Sequence, residues 1–203
     1  ATHKTEGTLK DVEIDVADML TPEHIMDIFQ FFSLFATDKK KRLYKIVCRY
    51  QQFEGANLII KRVKAGYPKK GLIWHFQGSG KSLLMIFAAQ KLRMIPELKN
   101  PTVVVVDDRI SLETQITGDF NAADIPNLDS AGTKEELINF FKSDLRKILI
   151  TTIFRFGDVT ETLNTRDNII VMVDEAHRTQ EGDLGEKMRL ALPNAFFFGL
   201  TGT

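Results

Sequence analysis

Cysteine is nearly absent from this sequence, since Cys48 is the only one among 203 residues. One cysteine cannot form a disulfide within the chain, which excludes a disulfide-stapled scaffold and favours a reducing compartment. Long hydrophobic runs are missing too, because no stretch approaches the roughly 20 apolar residues that cross a bilayer. The first residues, ATHKTEGTLK, lack the apolar core of a secretory signal. We therefore expect a cytoplasmic protein that is not attached to a membrane.

An excess of charge of one sign is also lacking, because Lys+Arg and Asp+Glu number 27 each. Binding to nucleic acid would therefore depend on a local basic patch, and an overall basic field is excluded. What the chain has in quantity is hydrophobic residues, which make up 43% of the composition. At this length they suffice for one large domain whose core needs no metal or disulfide to stabilise it.

Short apolar runs alternate with helical patterns in the part of the chain that follows Pro68. The runs lie at 71–76, 102–106, 148–152, 169–173 and 195–200, and helical patterns at 81–94 and after residue 133 separate them. The second run reads TVVVV, which is typical of a strand buried on both faces. This alternation predicts an α/β fold with a mostly parallel sheet and helices on both faces. The single tryptophan, Trp74, is expected in the core.

The part of the chain before this alternation predicts a helical extension. Thr21 is a suitable N-cap and Pro22 a suitable first helical residue, so a helix is expected from there to about residue 38. A second helix is expected from 49 to about 64. Residues 1–20 show no clear period and are interpreted as an arm or a partial strand. We accordingly divide the chain into an N-terminal arm with a helical lead-in, residues 1–48, and a main domain, residues 49–203.

The strongest chemical signal is the segment HFQGSGKS at residues 75–82, which follows a predicted strand and opens a predicted helix. That context is the one in which a glycine-containing segment binds phosphate. Gly78 and Gly80 allow a tight turn whose backbone N–H groups point at phosphate oxygens, and Gln77 and Ser79 complete this turn. The positive end of the helix dipole faces the same anion.

Two side chains of this segment supply the charge and the metal ligand that a bound nucleoside triphosphate needs. Lys81 can reach the β- and γ-phosphates, and the Ser82 hydroxyl can bind Mg²⁺. His75 stands where the general G-x-x-x-x-G-K-S pattern has its first glycine, which fits a looser form of the pattern and places the ring at the edge of the loop. The alternative interpretation is a glycine-containing turn that happens to carry Lys-Ser.

A second chemical signal, DEAH at residues 174–177, follows the predicted strand at 169–173. Adjacent carboxylates at the end of a buried strand are costly unless they serve a purpose, and parallel sheets bind ligands at the carboxyl ends of their strands. Asp174 can hold Mg²⁺ through water, and Glu175 can orient and deprotonate an attacking water. Taken alone, this box also fits an exposed acidic turn, an interpretation that the phosphate-loop pattern disfavours.

The two segments together resemble the superfamily 2 helicases and translocases that carry a DEAH-type box. Further segments are similar to the R, or HsdR, subunit of type I restriction–modification enzymes. The similar segments are RYQQF at 49–53, QGSGKS at 77–82, VVVVDDRISLETQ at 103–115, VDEAHR at 173–178 and GLTGT at 199–203. Ser111 stands where the third of these segments usually has an acid. The resemblance extends from about residue 19 to residue 203.

The resemblance implies a RecA-like P-loop NTPase fold for residues 49–203. It also implies that Gln52 serves adenine recognition and that His177 links the nucleotide to the last of the similar segments. Thr201 and Thr203 match the pair that couples the ATP state to domain movement in that family. The catalytic set implied by the resemblance consists of Lys81, Asp174, Glu175 and His177.

The activity implied by the resemblance is Mg²⁺-dependent ATP hydrolysis that drives translocation along duplex DNA, with DNA cleavage by the complete restriction endonuclease. Methyltransferase and specificity subunits are the implied partners, in a bacterial or archaeal cytoplasm. Arg109 and Arg155, near the ends of predicted strands, are candidate contacts to DNA phosphates. A nuclease domain and a second RecA-like domain with its arginine finger are not recognised, so the chain is interpreted as a first motor domain.

Three other functions are compatible with the same chemical segments. A DEAH-type helicase that separates nucleic-acid strands would use the same ATP site. A small-molecule P-loop kinase is disfavoured by the box at 174–177. A nucleotide-binding module without turnover is the third alternative, and it applies if these residues act alone.

Overall fold

The computed structural model describes residues 9–37, 40–76, 78–107, 127–157, 159–174 and 183–202. Its strands are β1 Ser33–Thr37, β2 Leu43–Val47, β3 Lys70–Trp74, β4 Thr102–Asp107, β5 Leu128–Ala131, β6 Ile148–Thr152, β7 Ile169–Val173 and β8 Phe196–Thr201. Its helices are α1 Leu9–Met19, α2 Pro22–Phe31, α3 Tyr50–Ala65, α4 Lys81–Arg93, α5 Lys134–Lys142 and α6 Asp183–Ala191. Short 3₁₀ turns lie at Pro96–Leu98 and Ile153–Phe156.

A parallel sheet of six strands, in the order β3-β8-β7-β4-β6-β5, forms the centre of the fold. β4 is buried along its whole length, because its successive valines point alternately to the two faces. Val103 and Val105 pack in one apolar cluster with α3 and α4, whereas Val104 and Val106 pack in another with α5 and α6. Helices therefore cover both faces of the sheet, as the alternating pattern predicts.

The helix predicted from Thr21 begins as expected but ends earlier. Thr21 caps α2 with its side chain, and α2 ends at Phe31 rather than near residue 38. Beyond it, Leu34 and Ala36 are buried at every second position, which is the period of a strand. β1 therefore pairs antiparallel with β2 in a separate two-stranded sheet. The prediction that this helix continues to about residue 38 is wrong.

Leu9–Met19 is helical, so the interpretation of this part of the chain as an arm or partial strand is wrong as well. Val12, Val16 and Met19 recur at helical spacing along α1, and Met19 packs against the apolar cluster of α3 and α4. Val12 and Val16 are 54% and 50% exposed. Acidic residues lie between these apolar positions. The helical spacing of hydrophobic residues in α1 is therefore a weak signal in the sequence.

The strand that leads into the 75–82 segment lies at the margin of the sheet. Among the described residues, β3 pairs with β8 alone. Leu72 and Trp74 are consequently 68% and 54% exposed. The expectation that Trp74 lies in the core is wrong, because an edge strand leaves part of an apolar run uncovered.

The end of α3 and the start of α5 follow from local sequence. α3 starts after Arg49 and is terminated by Gly66, whose φ is +77°. α5 begins with the capping box that Thr133 and Glu136 predict, in which the Glu136 N–H donates to the Thr133 hydroxyl at 3.2 Å. None of the helices that the structure describes is long and apolar enough to span a membrane.

Candidate functional site

The carboxyl ends of β3, β8 and β7 bring the two chemical segments to one edge of the sheet. β8 lies between the other two strands, with Trp74 in register with Thr201 and Val173 in register with Gly199. Neighbouring strands lie about 4.8 Å apart, so the ends of β3 and β7 are separated by about 10 Å. The phosphate-loop segment and Asp174 therefore share the edge at which parallel sheets bind ligands.

The turn before α4 has the backbone that the phosphate-loop pattern requires. Gly78 and Gly80 adopt φ values of +80° and +85°, which only glycine adopts without strain. Gly80 is the N-cap of α4, and its carbonyl accepts the first helical hydrogen bond, from Leu84 N at 3.1 Å. The N–H groups of the first helical turn therefore remain available to an anion. Lys81 is buried at this point, and Ser82 is half-buried.

His75 joins the phosphate loop to the end of β8. Its backbone N–H donates to the Thr201 carbonyl at 2.7 Å, and its ring Nδ1 is hydrogen-bonded to Ser79 Oγ. Burial lowers the pKa of His75; the Gln51 carbonyl opposes this shift, and the Lys81 ammonium adds to it. The imidazole is therefore neutral at pH 7, and it serves as a hydrogen-bonding group rather than as a second positive charge.

Gln52, to which the resemblance assigns adenine recognition, lies against the phosphate loop. Its Nε2 donates to the carbonyls of Ser79 at 3.2 Å and Gly80 at 3.1 Å, while its Oε1 accepts from Arg49 N at 2.8 Å. The side chain is 2% exposed. The first turn of α3 is thus packed on the loop, a contact that the sequence analysis did not predict. The adenine role stays a prediction.

Gly80 offers a test of this packing. We expect Gly80→Ala to destabilise the chain and to weaken ATP binding, because a Cβ there would collide with Gln52 Nε2 in addition to straining the backbone. Gly66→Ala is the matched control, since its φ is +77° but no atom lies within 4 Å of the added Cβ. Left-handed strain costs about 1–2 kcal/mol. The free energy of unfolding in urea should fall by about that much for Gly66→Ala and by more for Gly80→Ala. Equal losses would contradict the contact.

Asp174 reaches the loop edge as a buried carboxylate. It is 7% exposed, and its backbone N–H donates to the Val106 carbonyl at 2.8 Å, which ties the residue to β4. Asp107, which ends β4, is fully buried at the same edge. Asp107 was not predicted as a site residue, although an acid that ends an apolar strand is the same signal that identified Asp174.

The oxygen donors at this edge fit a magnesium ion that arrives with a nucleotide. Ser82 contributes a hydroxyl from the first turn of α4, and Asp174 contributes a carboxylate. Within the described ranges, no group of three or more His, Cys, Asp or Glu side chains could hold a metal. Mg²⁺ commonly uses one or two protein oxygens together with water and substrate phosphates, which matches this small donor set.

The structure places two further predicted residues at the same edge. Thr201 is the last residue of β8 and is 3% exposed. Arg155 lies in the 3₁₀ turn that follows β6 and is half-buried, and its contact with DNA stays a prediction. The remaining predicted site residues lie outside the described part of the chain, and they are Gln77, Arg109, Glu175, His177 and Thr203.

Comparison with known families agrees with this geometry. The family model described as SWI2/SNF2 ATPase matches residues 51–203, which include all strands of the six-stranded sheet. The chain belongs to the SWI2/SNF2 ATPase family. The matched residues also include the phosphate loop and Asp174.

Curated relatives of this SWI2/SNF2 ATPase chain are endonuclease subunits. The Type I restriction enzyme HindI endonuclease subunit of Haemophilus influenzae is 35% identical over 211 residues, which cover 91% of the chain and 20% of that protein. The Putative type I restriction enzyme MjaIXP endonuclease subunit of Methanocaldococcus jannaschii is 32% identical, over 95% of the chain and 19% of that protein. The resemblance to type I restriction subunits is confirmed, and the chain spans about a fifth of the length of these relatives.

Two solved structures share this fold. The UvsW helicase from bacteriophage T4 superposes with a TM-score of 0.57 at 19% identity, over 91% of this chain and 61% of that chain. The Sulfolobus solfataricus SWI2/SNF2 ATPase core in complex with dsDNA gives a TM-score of 0.54 at 17% identity, over 78% of this chain and 32% of that chain. The predicted RecA-like α/β fold is thereby confirmed.

Proposed function

We propose that this chain is the ATP-binding motor domain of a type I restriction enzyme R subunit, in which Mg-ATP hydrolysis drives translocation along duplex DNA. The observation that carries the proposal is that the phosphate loop before α4, with buried Lys81, lies at the same edge of the sheet as buried Asp174. The similarity to restriction endonuclease subunits supports the restriction context.

The residues at this edge of the sheet have different roles in ATP binding and hydrolysis. Lys81 and the N–H groups at the start of α4 bind the β- and γ-phosphates. Ser82 directly, and Asp174 through water, would hold Mg²⁺, which neutralises phosphate charge when bound. Glu175 orients the attacking water and removes its proton.

Coupling between ATP and DNA is assigned to the end of β8 and to the neighbouring loops. The hydrogen bond from His75 N to the Thr201 carbonyl puts the phosphate loop in direct contact with this strand end. His177, Thr201 and Thr203 would pass the state of the γ-phosphate to a second motor domain. Arg109 and Arg155 would bind DNA phosphates, which fix position without reading sequence.

The complete protein is proposed to do more than this domain. A second RecA-like domain would close over the nucleotide and donate an arginine to the γ-phosphate. A nuclease domain would cleave DNA, and methyltransferase and specificity subunits would complete the restriction–modification complex. The length of the curated relatives, about five times that of the chain, leaves room for these parts.

The domain by itself should be a poor ATPase. We expect the 203 residues to bind Mg-ATP weakly and to hydrolyse it slowly, with little stimulation by duplex DNA. An arginine supplied from outside contributes on the order of 10³–10⁵ in rate, whereas Arg155 lies on the same domain as the loop. The balanced charge should also make DNA binding weak and salt-sensitive. Phosphate release with and without duplex DNA measures this, and robust DNA-dependent turnover by these residues alone would contradict it.

A displacement assay separates translocation from strand separation. In the full-length protein, a translocase removes the third strand of a DNA triplex without unwinding the duplex beneath it. A DEAH-type helicase that uses the same ATP site would instead release one strand of the duplex. We expect ATP-dependent triplex displacement with intact duplex, and duplex unwinding would favour the alternative function.

A further inference from the structure

The side chains of Gln52 and His75 hold the backbone of the phosphate loop in place at Ser79 and Gly80. Gln52 approaches from the first turn of α3, and His75 approaches from the end of β3. Both meet the loop at Ser79, Gln52 through the backbone carbonyl and His75 through the hydroxyl. Since Ser79 and Gly80 immediately precede Lys81, these contacts fix the position from which α4 and its lysine begin.

The side-chain amide of Gln52 makes its hydrogen bonds within the protein. Its two N–H groups are donated to the Ser79 and Gly80 carbonyls, and its oxygen accepts the Arg49 N–H. At 2% exposure, the amide could face a base only by giving up these hydrogen bonds. In this arrangement Gln52 acts on the loop backbone.

The hydrogen bonds of Ser79 determine whether His75 donates or accepts. The single hydroxyl proton of Ser79 is donated to the Phe76 carbonyl at 2.5 Å, so the Ser79 oxygen accepts the bond from His75. In this bond His75 is therefore the donor, through Nδ1. A glycine at this position, as in the general pattern, could not hold Ser79.

We propose that Gln52 and His75 form a clamp that holds the phosphate loop ready for binding and thereby sets the affinity for triphosphate, whatever base is attached. The inference rests on the proposed ATP-binding function. It makes both residues positioning residues, because they act through Ser79 and Gly80. A loop that is ordered before binding loses less conformational entropy when the ligand arrives.

The test compares three ligands that share phosphates but differ in the base. Equilibrium dissociation constants of the chain for Mg-ATP, Mg-CTP and magnesium tripolyphosphate are measured by calorimetry. Gln52→Ala should weaken all three by the same factor, on the order of tenfold, because the lost hydrogen bonds act on the loop. Gln51→Ala is the matched control, since Gln51 is exposed and should leave all three affinities unchanged.

Further variants keep the test decisive if Gln52→Ala does not fold, as thermal unfolding would show. Gln52→Met keeps the length of the side chain but cannot donate to the loop carbonyls, so it should show the same uniform loss. His75→Leu should also weaken all three ligands. His75→Asn should restore binding, because its amide can place an N–H donor where Nδ1 lies. A structural role unrelated to the loop would not show this rescue.

The possible outcomes separate the clamp from the function on which it rests. A loss confined to Mg-ATP would make Gln52 an adenine-reading residue and would overturn the clamp. Unchanged affinity for all three ligands in the folded Gln52 variants would overturn it too. If the unmodified chain bound none of the three, the proposed ATP-binding function would fail first, and the clamp with it.

Discussion

Lys81→Ala should lower the affinity of the chain for Mg-ATP by about a hundredfold or more. The Lys81 ammonium is the positive side chain at the start of α4, where the phosphates are proposed to lie. Hydrogen bonds between charged groups contribute about 1.5–3 kcal/mol each, and a triphosphate offers several oxygens to one ammonium. Equilibrium titration with a fluorescent ATP analogue measures the loss.

Lys64→Ala provides the control for the loss of one positive charge. Lys64 is exposed near the end of α3, and it makes an ion pair with Glu97 at 3.9 Å on the surface. Its removal should leave the affinity for Mg-ATP unchanged, because screened surface pairs contribute little. An unchanged affinity in Lys81→Ala would remove the segment at 75–82 from the nucleotide site.

Glu175→Gln should keep ATP binding and remove turnover. The amide preserves the shape of the side chain but cannot accept the proton of the attacking water. General-base catalysis contributes about 10²–10⁴ in rate, so single-turnover hydrolysis by the full-length protein should fall by a factor in that range. The dissociation constant for Mg-ATP, measured in parallel, should change by less than about twofold.

Glu186→Gln is the matched control for Glu175→Gln, because it makes the same chemical change at an exposed position on α6. Its hydrolysis rate should equal that of the unmodified protein. If Glu175→Gln hydrolysed ATP at a near-normal rate, the general base would have to be another group, and the assignment from the DEAH box would be wrong.

Elements with a strong local signal were predictable from the sequence. The all-valine run of β4 and the Thr21 cap of α2 depend on neighbouring residues, so the sequence predicts them without knowledge of the fold. β1 was not predicted because Phe32 and Phe35 also fit helical spacing, and β2 was not predicted because it is mostly exposed and buries no alternating apolar face. The apolar run at 71–76 likewise does not predict that Trp74 is exposed, because its exposure depends on the order of the strands in the sheet.

The candidate site shows the same division between local and distant information. The glycines of the phosphate loop and the acid after β7 are local patterns, and parallel pairing alone predicts that they share an edge. The contact of Gln52 with the Ser79 carbonyl joins residues 27 positions apart. The contact depends on how α3 packs beside α4, and no sequence pattern within either helix predicts that packing.

The marginal position of β3 has a mechanical consequence. The phosphate loop starts from a strand that is paired on one side among the described residues, and it ends in α4, where Leu84 and Met85 are 0% exposed. β7, which leads to Asp174, is held between β8 and β4. Among the described residues, the strand that leads into the loop therefore has fewer sheet partners than the strand that leads to Asp174. If β3 slid along β8, the gap between the loop and Asp174 would change while the centre of the sheet stayed packed.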